Sequence, residues 1–147
     1  MHMYVTKLEK YDISRVIELS HQLGLCIWSE LSLQQELQNK DSIMLKLCKG
    51  ESIIGFSAGR TVDDRVIELF NIGVEIDRQG NGSGQMLFDE FREECTKIGA
   101  EKILLEVRVS NARAIHFYRK NGFVRLGRRP RFYSDPVEDA FTMELRL

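Results

Sequence analysis

Three glycines alternate along one short segment, Gln79-Gly80-Asn81-Gly82-Ser83-Gly84-Gln85, which lies between an apolar run and an amphipathic run. The apolar run, Val66 to Val74, is typical of a strand. Apolar residues after the segment recur at helical spacing, at Met86, Leu87, Phe91, Cys95 and Ile98. Glycine permits sharp turns, and the first amides of a helix have no internal partner and lie at the positive end of its dipole. The pattern therefore predicts a strand–turn–helix unit whose turn binds phosphate through main-chain N–H groups.

Other phosphate-binding loops fit this segment less well. A P-loop for ATP needs a lysine followed by Ser or Thr after its glycines, and neither follows Gly84. A dinucleotide-binding unit places its glycine loop after an early strand, whereas this loop lies past the middle of the chain. A flexible surface turn without a ligand is the remaining alternative, and the loop by itself does not identify the ligand.

The residues before the loop predict an antiparallel meander and two helices. Tyr4 to Leu8 predicts the first strand, Asp12 is placed to cap a helix, and Ser32 and Gln35 have capping-box spacing before a second helix. The apolar residues expected to face the core from these helices are Ile13, Val16, Ile17, Leu19, Leu33 and Leu37. The further strands and turns before the loop are Ile43 to Leu47, Lys49-Gly50-Glu51, Ile53 to Ala58 and Asp63-Asp64.

After the loop, helices and strands alternate. Gly99 is placed to end the first helix, and Lys102 to Val107 is apolar enough for a central strand. Ser110 or Asn111 can cap the next helix, which Gly122 closes. Two final strands are expected at Phe123 to Gly127 and Phe141 to Leu147. A meander followed by this alternation predicts one domain, residues 1–147, with a three-layer α/β architecture around a mixed sheet.

Charge and cysteine content exclude several classes of function. The formal net charge is -1, so no overall field draws the chain to nucleic acid or to a membrane. Cys26, Cys48 and Cys95 are odd in number and widely spaced, which indicates reduced thiols in the core of a cytoplasmic protein rather than a disulfide framework. His21 and His116 lack metal-ligand spacing, so no metal site is predicted.

Two chemically active side chains follow the loop. Glu106 lies near the end of the predicted central strand, facing away from its neighbours Leu105 and Val107, and Tyr118 lies on the next helix. A strand–turn–helix unit can bring both groups toward one cleft at the carboxyl end of a strand. Acyl transfer to an amine needs a base for the ammonium and an acid for the leaving thiolate, and a carboxylate and a phenol suit these tasks. The alternatives are a structural ion pair for Glu106 and a core position for Tyr118.

The acceptor amine determines how strong that base must be. A peptide α-amine has a reference pKa of about 7.7–8.0, and a lysine amine has one of about 10.4. At neutral pH the α-amine is therefore uncharged about 300 times more often than the lysine amine. A mild base such as Glu106 is thus better matched to a protein N-terminus.

Together these segments resemble the GNAT acetyltransferases, whose Gln/Arg-x-x-Gly-x-Gly/Ala loop is matched by residues 79–84. The second half of the chain is similar to the RimI branch of that family, which acetylates the N-terminus of a ribosomal protein. The segments that carry this similarity are Leu69-Phe70-Asn71-Ile72-Gly73-Val74, Leu105-Glu106-Val107-Arg108-Val109-Ser110-Asn111, Ala114-Ile115-His116-Phe117-Tyr118, Asn121-Gly122-Phe123 and Glu138-Asp139-Ala140. The resemblance covers residues 66–147 well and the first 65 residues weakly.

The resemblance implies a GNAT fold with a mixed, mostly antiparallel sheet, and an acetyl-CoA-dependent N-acetyltransferase without a metal. It assigns Glu106 as general base and Tyr118 as general acid for direct attack of the amine on the thioester, with the oxyanion held by an amide near Val74. The pyrophosphate would lie on residues 80–85, and main-chain groups of Ile72 and Val74 would bind the acetyl and pantetheine arm. All residues assigned to acetyl-CoA are Ile72, Gly73, Val74, Gln79, Gly80, Asn81, Gly82, Ser83, Gly84, Gln85 and Asn111.

Both departures from the RimI pattern fall on the acceptor side. An aromatic residue and a proline often precede Trp-Ser in that branch, whereas this chain has Cys26-Ile27-Trp28-Ser29. The aromatic-Pro pair expected after Arg128 is altered to Arg131-Phe132-Tyr133-Ser134-Asp135-Pro136. The predicted acceptor contacts are Trp28, Arg108 and Tyr133. The expected partner is a protein N-terminus, such as that of a ribosomal protein, and the expected state is a monomer or weak homodimer.

Two other functions fit the same residues. One is a GNAT enzyme for small amines or lysine side chains, and the other is a non-catalytic sensor that binds acyl-CoA. A basic stretch is formed by Arg119, Lys120, Arg125, Arg128, Arg129 and Arg131. It predicts either a solvated face or a contact with the 3′-phosphate of the cofactor or with an acidic acceptor.

Overall fold

The computed structural model describes residues 2–25 and 28–147. Within them the strands are β1 (Met3–Lys7), β2 (Ser42–Lys49), β3 (Ser52–Asp63), β4 (Val66–Val74), β5 (Lys102–Arg108), β6 (Val124–Ser134) and β7 (Val137–Arg146). The α-helices are α1 (Ile13–Gln22), α2 (Glu30–Gln38), α3 (Ser83–Lys97) and α4 (Ala112–Lys120). Of the three predicted core cysteines, Cys48 and Cys95 are buried and free, and Cys26 lies outside the described residues.

The strands form one mixed sheet in the order β1-β2-β3-β4-β5-β7-β6. Neighbours are antiparallel except β4 and β5, which run parallel. That parallel pairing joins only Val66–Glu68 to Lys102–Leu104. Beyond it the two strands separate, and we call the segments Leu69–Val74 and Leu105–Arg108 with the space between them the β4–β5 wedge.

Helices cover both faces of the sheet, and each face has its own buried cluster. Leu45 and Leu47 of β2 belong to the cluster under α3, whereas Met44 belongs to the cluster under α1 and α2. Successive strand residues point to opposite faces, so one strand contributes to both cores. The predicted three-layer α/β architecture with a mixed, mostly antiparallel sheet is confirmed.

Phe70 is the extra residue of a β-bulge in β4, because its neighbours Leu69 and Asn71 pair with consecutive residues of β3. An extra residue reverses the alternation of side chains along a strand. As a result Ile72 and Val74 pack on the same α3-side core as Leu69. The bulge lies at the entrance of the wedge, and it therefore determines which β4 side chains point to each face of the sheet there.

The starts of α1 and α2 differ from their predictions. Asp12 precedes α1 but does not cap it; its carboxylate instead accepts hydrogen bonds from the Glu9 N–H at 2.8 Å and the Lys46 ammonium at 2.7 Å. Because the ammonium of a buried lysine needs a hydrogen-bonding partner, the Asp12 carboxylate binds Lys46 and does not cap α1. Ser29, rather than the predicted Ser32, caps α2 by accepting from the Ser32 N–H at 3.0 Å. The second helix therefore begins three residues earlier than its capping-box spacing indicated.

Two further predictions need correction. Ile98 belongs to the apolar series at helical spacing but is 57% exposed, because α3 ends there and Gly99 takes a φ of +82°. Phe88, which the periodic series omitted, is fully buried instead. The last two strands are also longer than predicted, and they form one hairpin from Val124 to Arg146.

Candidate active site

The wedge leaves one edge of β4 open. From Leu69 to Val74, β4 pairs with β3 on one side, and no strand among residues 2–25 and 28–147 pairs with the other side. Unpaired main-chain groups on a strand edge bind extended partners that supply the missing hydrogen bonds. The Val74 carbonyl already accepts a hydrogen bond from the Gln79 side-chain amide at 2.9 Å. The remaining main-chain groups of this edge suit an extended, amide-containing ligand arm, as predicted for Ile72.

The glycine loop adopts the left-handed backbone that its sequence indicated. Gly80 and Gly82 have φ angles of +83° and +89°, which side chains disfavour. Asn81 stabilises the turn, because its side-chain oxygen accepts from the Ser83 N–H at 3.2 Å and from the Ser83 hydroxyl at 2.7 Å. Ser83 is fully buried, so its hydroxyl supports the loop and does not face a ligand.

The start of α3 offers N–H groups to an anion. Helix α3 begins at Ser83, and no described residue accepts a hydrogen bond from the main-chain N–H of Gly84 or Gln85. Just before the loop, the Arg78 Nε is buried and has no acceptor within the described part of the chain. A Cβ at Gly84 would meet no atom nearer than 3.9 Å, so packing within the protein does not require glycine there. These features fit a diphosphate group of the kind that acetyl-CoA carries.

Besides Asn81 and Ser83, three more of the predicted cofactor residues use their side chains within the fold. Gln79 holds the Val74 carbonyl, as described above. Gln85 exchanges hydrogen bonds with Asn121 at 2.6 and 3.1 Å, which ties α3 to the end of α4. Asn111 caps α4 by accepting from the Ala114 N–H at 3.1 Å. Only the side-chain oxygen of Asn111 is engaged in the cap, so a bond from its amide nitrogen to a cofactor is compatible with the geometry.

Glu106 lies on β5 inside the wedge, on the sheet face opposite to the α3-side core that receives Leu105 and Val107. Its carboxylate accepts a hydrogen bond from the Thr142 hydroxyl at 2.7 Å and a longer one from Arg129 at 3.4 Å. The Glu106 side chain is 15% exposed, so it is oriented by its partners yet reachable. This placement allows it to accept a proton from a bound amine.

Tyr118, on α4, lies on the other side of the sheet from Glu106. Its ring packs against Phe117 and Phe123, with centroids 5.8 and 5.4 Å apart, and it borders the α3-side core. Burial raises the pKa of its phenol, and the nearby Tyr133 raises it further. The phenol therefore stays protonated at neutral pH and can donate a proton. The predicted base and acid thus belong to opposite faces of the sheet, and no hydrogen bond joins them among the described residues.

Glu68 is a second carboxylate at the wedge that the sequence analysis missed. It lies on β4 in the last parallel pair, opposite Leu104, and Glu106 lies two residues further along β5. Burial raises the pKa of Glu68, and the charge of Glu106 raises it further. A charged residue between Ile67 and Leu69 in an otherwise apolar strand was the available signal.

Trp28 lies against the bulge of β4. Its indole N–H donates to the Asn71 side-chain oxygen at 2.7 Å, and its ring centroid is 6.2 Å from that of Phe70. This position is on the face of the sheet that carries α1 and α2, the same face as Glu68 and Glu106. The geometry is compatible with the predicted contact between Trp28 and an acceptor.

Arg108 and Tyr133, the other predicted acceptor contacts, hold the β6–β7 hairpin beside the wedge. The Arg108 guanidinium lies 4.3 Å from the Tyr133 ring centroid and donates to the Pro136 carbonyl at 3.0 Å. It also pairs with Glu138 at 3.2 Å. Hydrogen bonds from Ser110 and Arg108 lower the pKa of the Glu138 carboxyl. Any contact of Arg108 with an acceptor would therefore be additional to its role in the hairpin, and that contact stays a prediction.

Part of the predicted basic stretch is engaged within the protein. Arg128 pairs with Asp139 at 2.7 Å, and Arg125 lies 4.2 Å from the Phe141 ring centroid. Arg119 and Lys120 are exposed at the last turn of α4. The stretch thus combines hairpin contacts with an exposed basic end.

Other features of the described residues bear on the remaining predictions. No helix in them is long and apolar enough to cross a membrane, and no three His, Cys, Asp or Glu side chains in them are grouped to hold a metal ion. Two surface clefts share a lining of Asp41, Thr61 and Ile98, and no predicted site residue lines either cleft. The candidate site is therefore the wedge with its glycine loop.

Comparisons with known proteins identify the family that this chain resembles. A family model described as "Acetyltransferase (GNAT) family" matches residues 13–123. A [ribosomal protein bS18]-alanine N-acetyltransferase from Haemophilus influenzae is 33% identical over 132 residues, which are 90% of this chain and 88% of the relative. The Escherichia coli K12 protein of that name is 31% identical over 145 residues, 97% of each chain. The crystal structure of the ribosomal-protein-S18-alanine N-acetyltransferase from Escherichia coli superposes with a TM-score of 0.88 at 29% identity, covering 99% of this chain and 94% of that one.

Proposed function

This chain belongs to the GNAT acetyltransferase family and is an acetyl-CoA-dependent N-acetyltransferase, and on that premise we propose that it acetylates the α-amine of a protein N-terminus. The observation that carries this proposal is the Glu106 carboxylate inside the wedge, beside the open edge of β4. A carboxylate base is matched to an α-ammonium and poorly matched to a lysine ammonium. The names of the similar bacterial enzymes support a ribosomal protein as the acceptor.

Acetyl-CoA supplies an acetyl group activated as a thioester. Its diphosphate would lie on the Gly84 and Gln85 amides and the Arg78 Nε, and its amide-containing arm along the open edge of β4. A main-chain N–H of that edge near Val74 can donate to the thioester oxygen as negative charge develops there. In this arrangement the thioester of acetyl-CoA lies between the sheet face that carries Glu106 and the face that carries Tyr118.

The reaction then needs two proton transfers, one by Glu106 and one by Tyr118, on opposite faces of the sheet. Glu106 takes one proton from the acceptor ammonium, and the nitrogen lone pair attacks the carbonyl carbon. The C–N bond forms, the C–S bond breaks, and the sulfur leaves with the proton of the Tyr118 phenol. The nitrogen loses its second proton to solvent, Glu106 also releases the proton that it took to solvent, and the phenol recovers its own proton from solvent. The net change is one proton released for each acetyl group transferred.

A peptide panel tests the acceptor class. We expect acetylation of peptides with a free N-terminus and none of the same peptides with a blocked N-terminus, even when they contain an internal lysine. Mass spectrometry of the products locates the acetyl group. Acetylation only of an internal lysine or of a polyamine would contradict the proposal, and tight acetyl-CoA binding without thiol release on any amine would indicate a sensor.

Replacing Gly82 with Ala should weaken acetyl-CoA binding. The Gly82 φ of +89° is disfavoured for any residue with a Cβ, at a cost of about 1–2 kcal/mol. Relief of that strain would move the α3 N–H groups, and we expect an increase in Kd of about tenfold, the effect of about 1.4 kcal/mol. Calorimetric titration with acetyl-CoA measures it.

Gly99→Ala is the matched control for this prediction. Gly99 has a φ of +82° at the opposite end of the same helix, and nothing lies within 4 Å of a Cβ there. Both variants should lower the melting temperature by similar amounts, but only Gly82→Ala should weaken binding. Equal affinities in the two variants would remove the loop from cofactor binding.

A further inference from the structure

Glu68 is a carboxylate that the proposed mechanism does not use, although it lies where the wedge opens. Its strand partner is Leu104, and Glu106 is two residues beyond Leu104 on β5. Because side chains two residues apart on a strand share a face, Glu68 and Glu106 are diagonal neighbours on the acceptor face of the sheet. Burial raises the pKa of Glu68, and the charge of Glu106 raises it further.

The nearest cation on β3 does not neutralise Glu68. Arg60 is its direct strand partner across the β3–β4 pairing. The Arg60 guanidinium, however, donates to the buried Glu36 carboxylate at 3.3 Å and lies 5.3 Å from the Phe70 ring centroid. It lowers the pKa of Glu68 only through its charge, without a hydrogen bond.

The cations on the other side are also engaged elsewhere. Arg129 of β6 donates to Glu106 at 3.4 Å and lowers the pKa of Glu68 through its charge alone, and the Lys102 ammonium of β5 pairs with Glu144 at 3.3 Å. Within residues 2–25 and 28–147, no donor makes a hydrogen bond or ion pair with the Glu68 carboxylate. Glu68 is therefore a half-buried carboxylate that keeps its hydrogen-bonding capacity and repels Glu106.

Two neighbouring carboxylates that repel each other favour a cation between them. An amine acceptor arrives as an ammonium with three N–H donors, and it would relieve that repulsion while one donor faces each carboxylate. We propose that Glu68 binds the acceptor ammonium together with Glu106, so that the pair forms the amine site of the enzyme. Glu68 holds the ammonium while Glu106 removes its proton. This inference rests on the proposed function and identifies the charged primary amine as the species that is bound.

Glu68→Gln tests the inference, because it keeps the shape of the side chain and removes its charge. With a peptide acceptor we expect KM for the peptide to rise about tenfold or more, the effect of losing a hydrogen bond between charged groups. KM for acetyl-CoA should stay near its wild-type value, because Glu68 does not lie on the glycine loop. Glu101→Gln is the control, since Glu101 forms an exposed ion pair with Arg65 at 2.9 Å outside the wedge.

The pH profile distinguishes acceptor binding from a packing role. Glu68 attracts the ammonium only in its ionised form, and burial together with the charge of Glu106 raises the pKa of Glu68, so acceptor binding by the wild type weakens as the pH falls toward that pKa. The acid limb of kcat/KM should therefore move to lower pH in Glu68→Gln and stay in place in Glu101→Gln. Glu68→Asp keeps the charge and should retain more of the acceptor affinity than Glu68→Gln, which provides a second comparison if the Gln variant folds poorly.

The outcomes separate this inference from the proposed function. If the wild type acetylates N-terminal peptides but Glu68→Gln keeps the wild-type KM and pH profile, Glu68 does not bind the acceptor and the inference is wrong. If the wild type acetylates only lysine side chains or polyamines, the proposed function is wrong. The same comparison of variants with the accepted amine then decides the inference on its own.

Discussion

Glu106→Gln is expected to lower kcat for N-terminal acetylation by about 10²–10⁴-fold, the usual contribution of a general base. Glutamine has nearly the same shape and can still accept the hydrogen bond that Thr142 donates at 2.7 Å, so the fold should persist. It cannot take a proton from the ammonium. Because Glu106 lies on the face opposite the glycine loop's helix, acetyl-CoA affinity measured by calorimetry should stay near the wild-type value.

The pH dependence of this variant provides a sharper test. A peptide α-amine loses its own proton near pH 7.7–8.0, so above about pH 9 the substrate needs little help from a base. The deficit of Glu106→Gln relative to wild type should therefore shrink as the pH rises from 7 to about 9. A variant that turns over at the wild-type rate throughout the neutral range would show that Glu106 is not the base.

Tyr118→Phe is expected to lower kcat by about 10²-fold or more, because it removes the proton donor for the leaving thiolate. The ring contacts with Phe117 and Phe123 remain, so stability and acetyl-CoA affinity should change little. The raised pKa of the Tyr118 phenol has a second consequence, since the acid stays protonated throughout the neutral range. The wild-type rate should therefore show no decline caused by Tyr118 between pH 7 and about pH 9.

Tyr11→Phe is the matched control for the phenol. Tyr11 is 79% exposed, and its loss of a hydroxyl should leave kcat unchanged. Thiol release measured at saturating acetyl-CoA and peptide compares the two variants directly. Wild-type turnover in Tyr118→Phe would remove the phenol from the mechanism.

Local sequence signals predicted the elements around the glycine loop well. The bounds of β4 match the predicted strand, and Gly99 and Asn111 end and cap helices as expected. Each of these features depends on periodicity, on a positive φ or on a single capping bond, all of which act within a few residues. The same locality explains why Gly80 and Gly82 could be placed in a tight turn before any tertiary contact was known.

Features that depend on distant residues were not predicted. The hairpin of β6 and β7 is longer than expected because Asp139 binds both the Arg128 side chain and the Arg131 N–H, at 2.7 and 2.8 Å. The run of arginines there hides the alternation of a strand. Asp12 likewise could not be assigned to Lys46 from sequence, because 34 residues separate them.

The importance of Glu68 was equally hidden. Its position matters only because β4 and β5 part at the next residues, and the point of separation is set by the pairing of strands whose register no local pattern determines. The bulge at Phe70 depends in the same way on β3. The residues predicted from the sequence were those with conspicuous chemistry, whereas the proposed role of Glu68 depends on its surroundings in the fold.

In the proposed arrangement, the single extra residue of β4 allows one short strand to contact both reactants. In that arrangement Glu68 faces the amine before the bulge, and the open edge of β4 beyond the bulge lies along the acetyl donor. Deleting one residue there would turn the following side chains of β4 to the opposite face of the sheet. Substitutions at positions 68 or 70 would alter only the side that faces the amine. Insertions and deletions within β4 should therefore be poorly tolerated, while new acceptors could be acquired by point changes that leave the thioester where it is.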